Sequence, residues 1–444
     1  MRLRVTPGGP LCGDIQVAAD KSISHRAVIL AAIATGVSGL RNLSQGEDVR
    51  ATLAAFRSMG VRIEQRADGE VEIEGAGLHG LCQPPREIDL GNSGTAMRLL
   101  AGLLCAQRWS STLTGDASLK ARPMARIIEP LTRMGAVIQS IQSRAGGTDA
   151  RPPLAMTPVP RLRGSDFSLP VASAQVKSAL LLAGLYAKGA TTVTAPAPTR
   201  DHTERMLAAF GAPVEPVGGD GIRAGVRGGG ALRAVHMRVP ADLSAAAFFI
   251  VGASVIGGSE VLLRGVGVNP TRDGILAILR RMGADIEVRA RREVSGEPVA
   301  DIRVRAAALR GCRIDAGDVA LAIDEIPAIA VAAACADGAT SIRGAGELRV
   351  KESDRISRVA AGLAALGVAV EEHADGLTIT GGRPRGGRVD SGGDHRIAMA
   401  FAVAGGAADG AVEVADCANI ATSFPEFCPV ARDAGLRIEA GDDD

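Results

Sequence analysis

The sequence predicts a mixed α/β protein made of six like units grouped as two domains of three. Three observations predict it. One short pattern recurs in order: RSMGVRIE (57–64), TRMGAVIQ (132–139), AAFGAPVE (208–215), RRMGADIE (280–287), AALGVAVE (364–371) and RDAGLRIE (432–439), each reading as a helix end, a glycine and an alternating strand. The six glycines, Gly60, Gly135, Gly211, Gly283, Gly367 and Gly435, are spaced by 75, 76, 72, 84 and 68 residues, close to one sixth of the 444-residue chain. Upstream of each lies an Ala-rich stretch with no polar face, such as SAQVKSALLLAGLYA or DLSAAAFFIVGASVI, which predicts a helix covered on nearly all sides.

Within each unit the elements follow one order. A short strand-like run opens it: DIQVAAD, REIDL, DFSLP, MRVP, CRIDAG and GRVDSGGD. The Ala-rich helix comes next, from Lys21, Asn92, Ser173, Asp242, Asp324 and Asp394 onward. Small residues and β-formers then give a second strand, in GVSGLRNL, STLTG, GATTVTAP, SEVLLRGV, GATSIRG and GAVEVAD. The second helix ends on the recurring glycine, as a left-handed C-cap requires, and the alternating strand follows. The unit is therefore β-α-β-α-β(-β), with mixed strand directions and the Ala-rich helices at the centre of each domain. The domain boundary falls between a third unit ending near Arg233 and a fourth starting near Val239. The Gly-rich passage GGDGIRAGVRGGG (218–230) just before it reads as tight hairpin turns, because no helix opening on Lys-Ser or Lys-Thr follows to make a phosphate loop.

Composition narrows the function. A chain of 444 residues fits two or three domains and buries roughly three quarters of its surface. Lys+Arg 50 against Asp+Glu 49 leaves a net charge of +1, so no overall basic field holds nucleic acid or an anionic membrane, and any affinity for anions is local. The longest apolar runs, residues 27–34 and 326–334, fall short of the ~20 residues that span a bilayer, and MRLRVTPGGP has no signal-peptide apolar region. The expectation is a soluble, unexported chain. Seven scattered cysteines without a CxxC pair point to reduced thiols in a cytoplasm, and no Cys/His cluster has zinc spacing. Only five of the 50 basic residues are lysines: Lys21, Lys120, Lys177, Lys188 and Lys351. Where the chain keeps a Lys, a compact and titratable ammonium is worth noting.

The starts of the Ala-rich helices are where chemistry gathers: ADKSISHR (19–26), GNSGTAMR (91–98), ASAQVKS (172–178), ADLSA (241–245), IDEIP (323–327) and GGDHR (392–396). Taken singly, each has a plain reading. Lys21-Ser22 fits a solvated N-cap, Arg122 a loop charge, Ser173 with Gln175 a capping box, Asp324-Glu325 a helix N-terminal acid pair, and 351–355 a solvated helix start of alternating charge. The histidines His25, His202 and His395 read as packed or hydrogen-bonded. Against the plain readings stands recurrence. Cations or bare small-residue turns occupy equivalent points of the repeat, where helix N–H groups already favour anions. The loops SLKARPMAR, TRDHTE and ELRVKESDR add charge. Such a cleft suits two phosphorylated or carboxylated substrates, with Asp324 and Glu352 doing acid and base work.

At these motifs the chain resembles the 5-enolpyruvylshikimate-3-phosphate synthase (3-phosphoshikimate 1-carboxyvinyltransferase) family, closest to its second class. The matching strings are DKSISHR, GNSGTAMR, LKARPM, ASAQVKSALLLAGL, TRDHTE, NPTR, DEIP, LRVKESDR, GDHRIAM and ATSFPEF, in order over nearly the whole chain. The resemblance implies two inside-out α/β barrel domains, each of three β-α-β-α-β-β repeats: residues 20–236, and residues 1–19 with 237–444, with the active site in the cleft between them. It implies transfer of the carboxyvinyl group of phosphoenolpyruvate to the 5-hydroxyl of shikimate 3-phosphate, with no metal or organic cofactor; the chain itself is expected to be a cytoplasmic monomer. Carried across by motif, Lys21, Ser22, Arg26, Ser173, Ala174, Gln175, Arg200, Asp324 and Lys351 would hold shikimate 3-phosphate. Lys21, Gly94, Arg122, Gln175, Arg355 and Arg396 would hold phosphoenolpyruvate. Asp324 would take the hydroxyl proton, and Glu352 would handle the proton at the methylene carbon, with Lys21 also catalytic.

Two positions qualify the resemblance. Some members have a phosphoenolpyruvate-contacting Lys just before a TFP or SFP run, where this chain has Thr422, which puts that contact alone in doubt. Glyphosate tolerance accompanies an Ala crowding the phosphoenolpyruvate loop, and Gly94 here predicts sensitivity. The nearest rival is UDP-N-acetylglucosamine 1-carboxyvinyltransferase, which relies on a mobile-loop Cys that LKARPM lacks. A non-catalytic anion- or RNA-binding protein of the same fold is disfavoured by near-zero net charge, one Trp, one Tyr and intact Asp324 and Glu352.

Overall fold

All six recurring glycines have left-handed backbone, with φ of 86° at Gly60, 99° at Gly135, 82° at Gly211, 97° at Gly283, 73° at Gly367 and 108° at Gly435. The computed structural model that shows this describes residues 1–141, 150–215 and 221–442. The helices they close are Glu47–Ser58, Ala125–Arg133, His202–Ala209, Gly274–Arg281, Arg355–Ala365 and Phe427–Asp433. In each case the residue after the glycine donates its N–H to a carbonyl five residues back, as Val61 does to Phe56 at 3.0 Å and Leu436 to Ala431 at 2.9 Å. That bond satisfies a helix-end carbonyl, and a residue with a Cβ would hold the same backbone only at a cost of about 1–2 kcal/mol. The constraint explains why the glycine recurs while its neighbours vary.

The chain folds as two compact units. A terminal unit contains Met1–Asp20, Pro240–Glu293 and Pro298–Asp444, and a middle unit contains Lys21–Val239 with Val294–Glu297. Six four-stranded sheets share one pairing scheme. In the second repeat, Ile88–Asp89 pairs parallel with Ser111–Thr114, which pairs antiparallel with Leu154–Thr157, which pairs antiparallel with Val137–Ser140. The Gly-rich passage supplies the strand Arg223–Arg227 and turns around it, while its residues 218–220 lie outside the described residues.

The structure corrects the sequence order at two strands. The run DIQVAAD precedes the first Ala-rich helix, yet the strand Cys12–Ile15 pairs parallel with Glu260–Gly267 in the fourth repeat's sheet. The run MRVP precedes the fourth, yet His236–Arg238 pairs parallel with Thr35–Arg41 in the first repeat's sheet. Each strand stays with the unit the chain is about to leave, so the two openings are exchanged. The strand Arg2–Thr6 completes the sixth sheet, antiparallel to Val412–Ala415 and Arg437–Gly441. Where the chain crosses between units, the Asp20 N–H donates to the Pro240 carbonyl at 2.9 Å and the Asp242 N–H to that of Ala18 at 2.8 Å.

The Ala-rich helices are Lys21–Ala32, Gly94–Leu104 and Ala174–Gly184 in the middle unit, and Leu243–Val255, Ile326–Ala334 and His395–Ala407 in the terminal unit. Their lack of a polar face matches their position: all nine residues of Ile326–Ala334 are buried. Small side chains let these helices approach closely. A Cβ on Gly102 would lie 2.2 Å from the Ala179 carbonyl oxygen, so the glycine sets the spacing of the second and third helices. Among the described residues no helix is long and apolar enough to cross a membrane.

Candidate active site

In the middle unit the starts of the central helices bring cations and small polar groups together. Lys21, the first residue of its helix, pairs with Asp48 at 2.8 Å. One turn on, the buried Arg26 donates from Nε to the Thr203 hydroxyl at 2.7 Å, from Nη2 to that of Ser178 at 2.8 Å, and from Nη1 to the Ser22 carbonyl at 2.9 Å. These bonds tie the first helix to the third and to the helix His202–Ala209, whose preceding turn carries Arg200. His25, on the same helix, spans Thr52 at 2.8 Å and Ser93 at 3.4 Å. Burial, then Lys21 and Arg26, hold its imidazole well below the usual range, so it is neutral near pH 7.

Gly94 opens the second central helix with Ser93 as its N-cap. Arg122 donates to the Asn92 side-chain oxygen and, at 3.4 Å, to the Ser118 hydroxyl. A Cβ on Gly94 would stand 2.7 Å from Arg122 Nη1 and 3.0 Å from Arg98 Nη1, so glycine is what lets both guanidinium groups cover this helix start. Ser173 caps the third helix, but Gln175 forms no capping box there. Its carbonyl oxygen accepts from Arg98 at 2.8 Å and its amide donates to Thr95 at 3.0 Å. Ala174 is the first residue of that helix, so Gly94, Arg122, Ser173, Ala174 and Gln175 form one neighbourhood. Arg98, which holds Gln175, is a residue the sequence reading passed over, although it lies one turn after Gly94 in the string GNSGTAMR.

In the terminal unit the site is a carboxylate–guanidinium network. Arg355, 1% exposed, donates from Nε to Asp394 at 2.8 Å and from Nη2 to Glu352 at 2.6 Å, and its Nη1 lies 3.4 Å from Asp324. The segment 351–355 is therefore the reverse of a solvated helix start. Asp324 also has Lys351 Nζ at 3.7 Å and Arg396 Nη2 at 4.0 Å, and its backbone carbonyl accepts from Arg396 at 3.2 Å. Asp394 caps the helix His395–Ala407 by accepting from the Arg396 backbone N–H at 2.9 Å, so the carboxylate that holds the Arg355 guanidinium also fixes the helix start that carries Arg396. Burial would raise the Asp394 carboxyl, but Arg355 outweighs it and holds the group below the usual carboxylate range. Burial pulls the Lys351 ammonium below the usual lysine value, against the attraction of Asp324. Asp324 and Glu325 are not a simple acid pair at a helix start: Glu325 turns inward, where its carboxylate accepts from Ser244. At the position of the doubtful lysine, the Thr422 hydroxyl donates to the Asn419 carbonyl at 2.7 Å and closes a turn.

An enolpyruvyl transferase from Streptomyces tendae shares this fold, with a TM-score of 0.79 over 99% of this chain and 98% of that one at 18% identity. The family model described as EPSP synthase (3-phosphoshikimate 1-carboxyvinyltransferase) matches residues 5–430, and the chain belongs to that family. A 3-phosphoshikimate 1-carboxyvinyltransferase from Acidithiobacillus ferrooxidans is 59% identical over 99% of each chain, and one from Methylococcus capsulatus is 57% identical over 98% of this chain and 97% of that one. The solved EPSP synthase from Acinetobacter baumannii has a TM-score of 0.87 at 47% identity, covering 99% of this chain and all of that one. The chain carries out the family's reaction, a step of the shikimate pathway in which phosphoenolpyruvate gives its carboxyvinyl group to shikimate 3-phosphate. The two rival readings, on a nucleotide sugar or without catalysis, give way to it.

Proposed function

We propose that the middle unit supplies most of the anion seat, while the terminal unit supplies the proton-transfer groups Asp324 and Glu352 together with Arg355 and Arg396 for phosphoenolpyruvate. The observation that carries this is Asp324, a single carboxylate with Lys351, Arg355 and Arg396 all within 4.0 Å. The three cations fix the carboxylate in place beside the groups that would hold the reacting hydroxyl. In this reading Lys21, Ser22, Arg26, Ser173, Ala174, Gln175 and Arg200 seat shikimate 3-phosphate, with Asp324 and Lys351 at its reacting end. Lys21, Gly94, Arg122, Gln175, Arg355 and Arg396 grip phosphoenolpyruvate.

Asp324 takes the proton of the 5-hydroxyl as its oxygen bonds to C2 of phosphoenolpyruvate, while Glu352 delivers a proton to the methylene carbon. In the second step Glu352 takes a proton back from the new methyl group, the C2–O bond to phosphate breaks, and the departing phosphate carries away the proton lost by the hydroxyl. Preorganised cations stabilise the tetrahedral intermediate and its leaving phosphate. Lys21, at the head of its helix and paired with Asp48, supplies a cation shared by both substrates. In this reading the chain works as a monomer in the cytoplasm.

The test is phosphate release from the purified protein with shikimate 3-phosphate and phosphoenolpyruvate, with UDP-N-acetylglucosamine as alternative acceptor and Asp324→Ala as control. Release that needs shikimate 3-phosphate and is lost in the variant is the expected result. Full activity in Asp324→Ala would remove Asp324 from the mechanism. Light scattering at working concentration tests the monomer.

A further inference from the structure

The NPTR string has no role so far. In the structure its Asn269 side chain accepts from the Thr271 N–H at 2.9 Å and hydroxyl at 2.8 Å, and the Arg272 N–H donates to the Asn269 carbonyl at 2.9 Å. The tight turn sends Arg272, 3% exposed, into a buried cluster of the terminal unit. Its Nη1 donates to Asp20, its Nη2 to Asp242 at 3.0 Å and to the Ser244 hydroxyl at 2.7 Å, and Glu325 lies 3.7 Å away. Ser244 in turn donates to Glu325. Three buried carboxylates around one guanidinium are a poor device for stability alone, since well-packed apolar side chains usually do as well or better. The cluster's place in the chain gives it another meaning. Asp20 directly precedes Lys21, Glu325 directly follows Asp324, and Asp242 follows the point where the chain re-enters the unit at Pro240.

We propose that Arg272 is a positioning residue for carboxyvinyl transfer, fixing Asp324 through its chain neighbour Glu325. Asp324 is then held from two sides, its carbonyl by Arg396 and its following residue by the Arg272 cluster. Only a planar fork with several donors spans these acceptors. The inference rests on the proposed role of Asp324.

The test is steady-state kinetics with thermal unfolding of Arg272→Lys and Glu325→Gln, beside Asp324→Ala. Arg272→Lys keeps the charge and loses the fork, and kcat is expected to fall about 10- to 100-fold, with little change in either KM, as a reacting group shifts by a fraction of an ångström. Glu325→Gln removes one buried negative charge, so its kcat falls while its Tm holds or rises, a combination that loss of scaffold does not produce. A lowered Tm with kcat per folded molecule unchanged in both variants overturns the inference. If Arg272→Lys does not fold, Glu325→Gln decides alone. Full activity in Asp324→Ala defeats the reading of Asp324 itself. An inactive Asp324→Ala beside unaffected Arg272→Lys and Glu325→Gln defeats only the positioning role.

Discussion

The contacts of the site arginines differ between the two units, although the middle unit's Lys21 is itself paired with a carboxylate, Asp48. In the middle unit Arg26, Arg98 and Arg122 are oriented through hydroxyl, amide and backbone oxygens. In the terminal unit the Arg355 guanidinium is held by the carboxylates of Asp394, Glu352 and Asp324, while that of Arg396 donates to the Asp324 carbonyl with the Asp324 carboxylate 4.0 Å away. A neutral acceptor fixes a guanidinium without cancelling its charge, which suits a site that waits for phosphate or carboxylate. A carboxylate partner spends part of that charge and in exchange has its own proton affinity set by the cation. In the proposed reading the middle unit thus gives most of the anion seat and the terminal unit the proton-transfer groups.

The strongest way to break this contrast is Glu352→Gln. The amide keeps the shape beside Arg355 but carries no titrating proton, so kcat should fall by about 10²–10⁴-fold with both KM values nearly unchanged. A loss confined to KM would make Glu352 a binding group. On the middle-unit side, Gly94→Ala brings a Cβ to 2.7 Å from Arg122 Nη1. Displacing that guanidinium should raise the KM for phosphoenolpyruvate on the order of 10-fold and weaken glyphosate inhibition, leaving kcat largely intact. Inhibition by glyphosate at fixed phosphoenolpyruvate checks both this and the sensitivity expected of the parent.

Lys351 sharpens the comparison through pH. Its ammonium is held below the usual lysine value, chiefly by burial, so its charge is lost as pH rises through that lowered value, before an ordinary lysine would titrate. Activity that depends on the charge falls over the same window. Lys351→Arg should move the alkaline limb of the kcat profile upward, because a guanidinium stays protonated there. An unmoved limb would assign it to another group. The smallest effect is expected at Gly211, where an added Cβ meets nothing within 4 Å but the backbone is left-handed. Gly211→Ala should cost about 1–2 kcal/mol of stability, read by denaturant unfolding, with kcat unchanged.

The repeat was legible because backbone geometry demands it: a left-handed helix end asks for glycine, and a helix buried on all sides asks for small apolar residues. Cations at helix starts were legible for a similar reason, since they break the ordinary capping pattern. The exchange of Cys12–Ile15 with His236–Arg238 was not legible in the repeat, because both are short strands equally compatible with either sheet; only the family resemblance, which places residues 1–19 with the second domain, implied the first half of it. Partners were hidden too. Nothing local links Arg98 to Gln175, 77 residues away, or Arg272 to Asp20, 252 residues away. The string at 351–355 misled when read alone because alternating charge means solvent on a lone helix, whereas here Asp324 from the same repeat's first helix start and Asp394 from the next repeat's surround Arg355.

The division of labour between the units is tested most directly by measuring substrate binding and single-turnover rate together in Asp324→Asn and Arg122→Gln. Titration calorimetry gives the affinities, and rapid-quench phosphate release gives the rate. Asp324→Asn should bind both substrates nearly as the parent does while its single-turnover rate collapses. Arg122→Gln should lose phosphoenolpyruvate affinity by about 10- to 100-fold and, at saturation, keep most of its rate. Equal losses of binding and rate in both variants, or the two patterns reversed, would contradict the account.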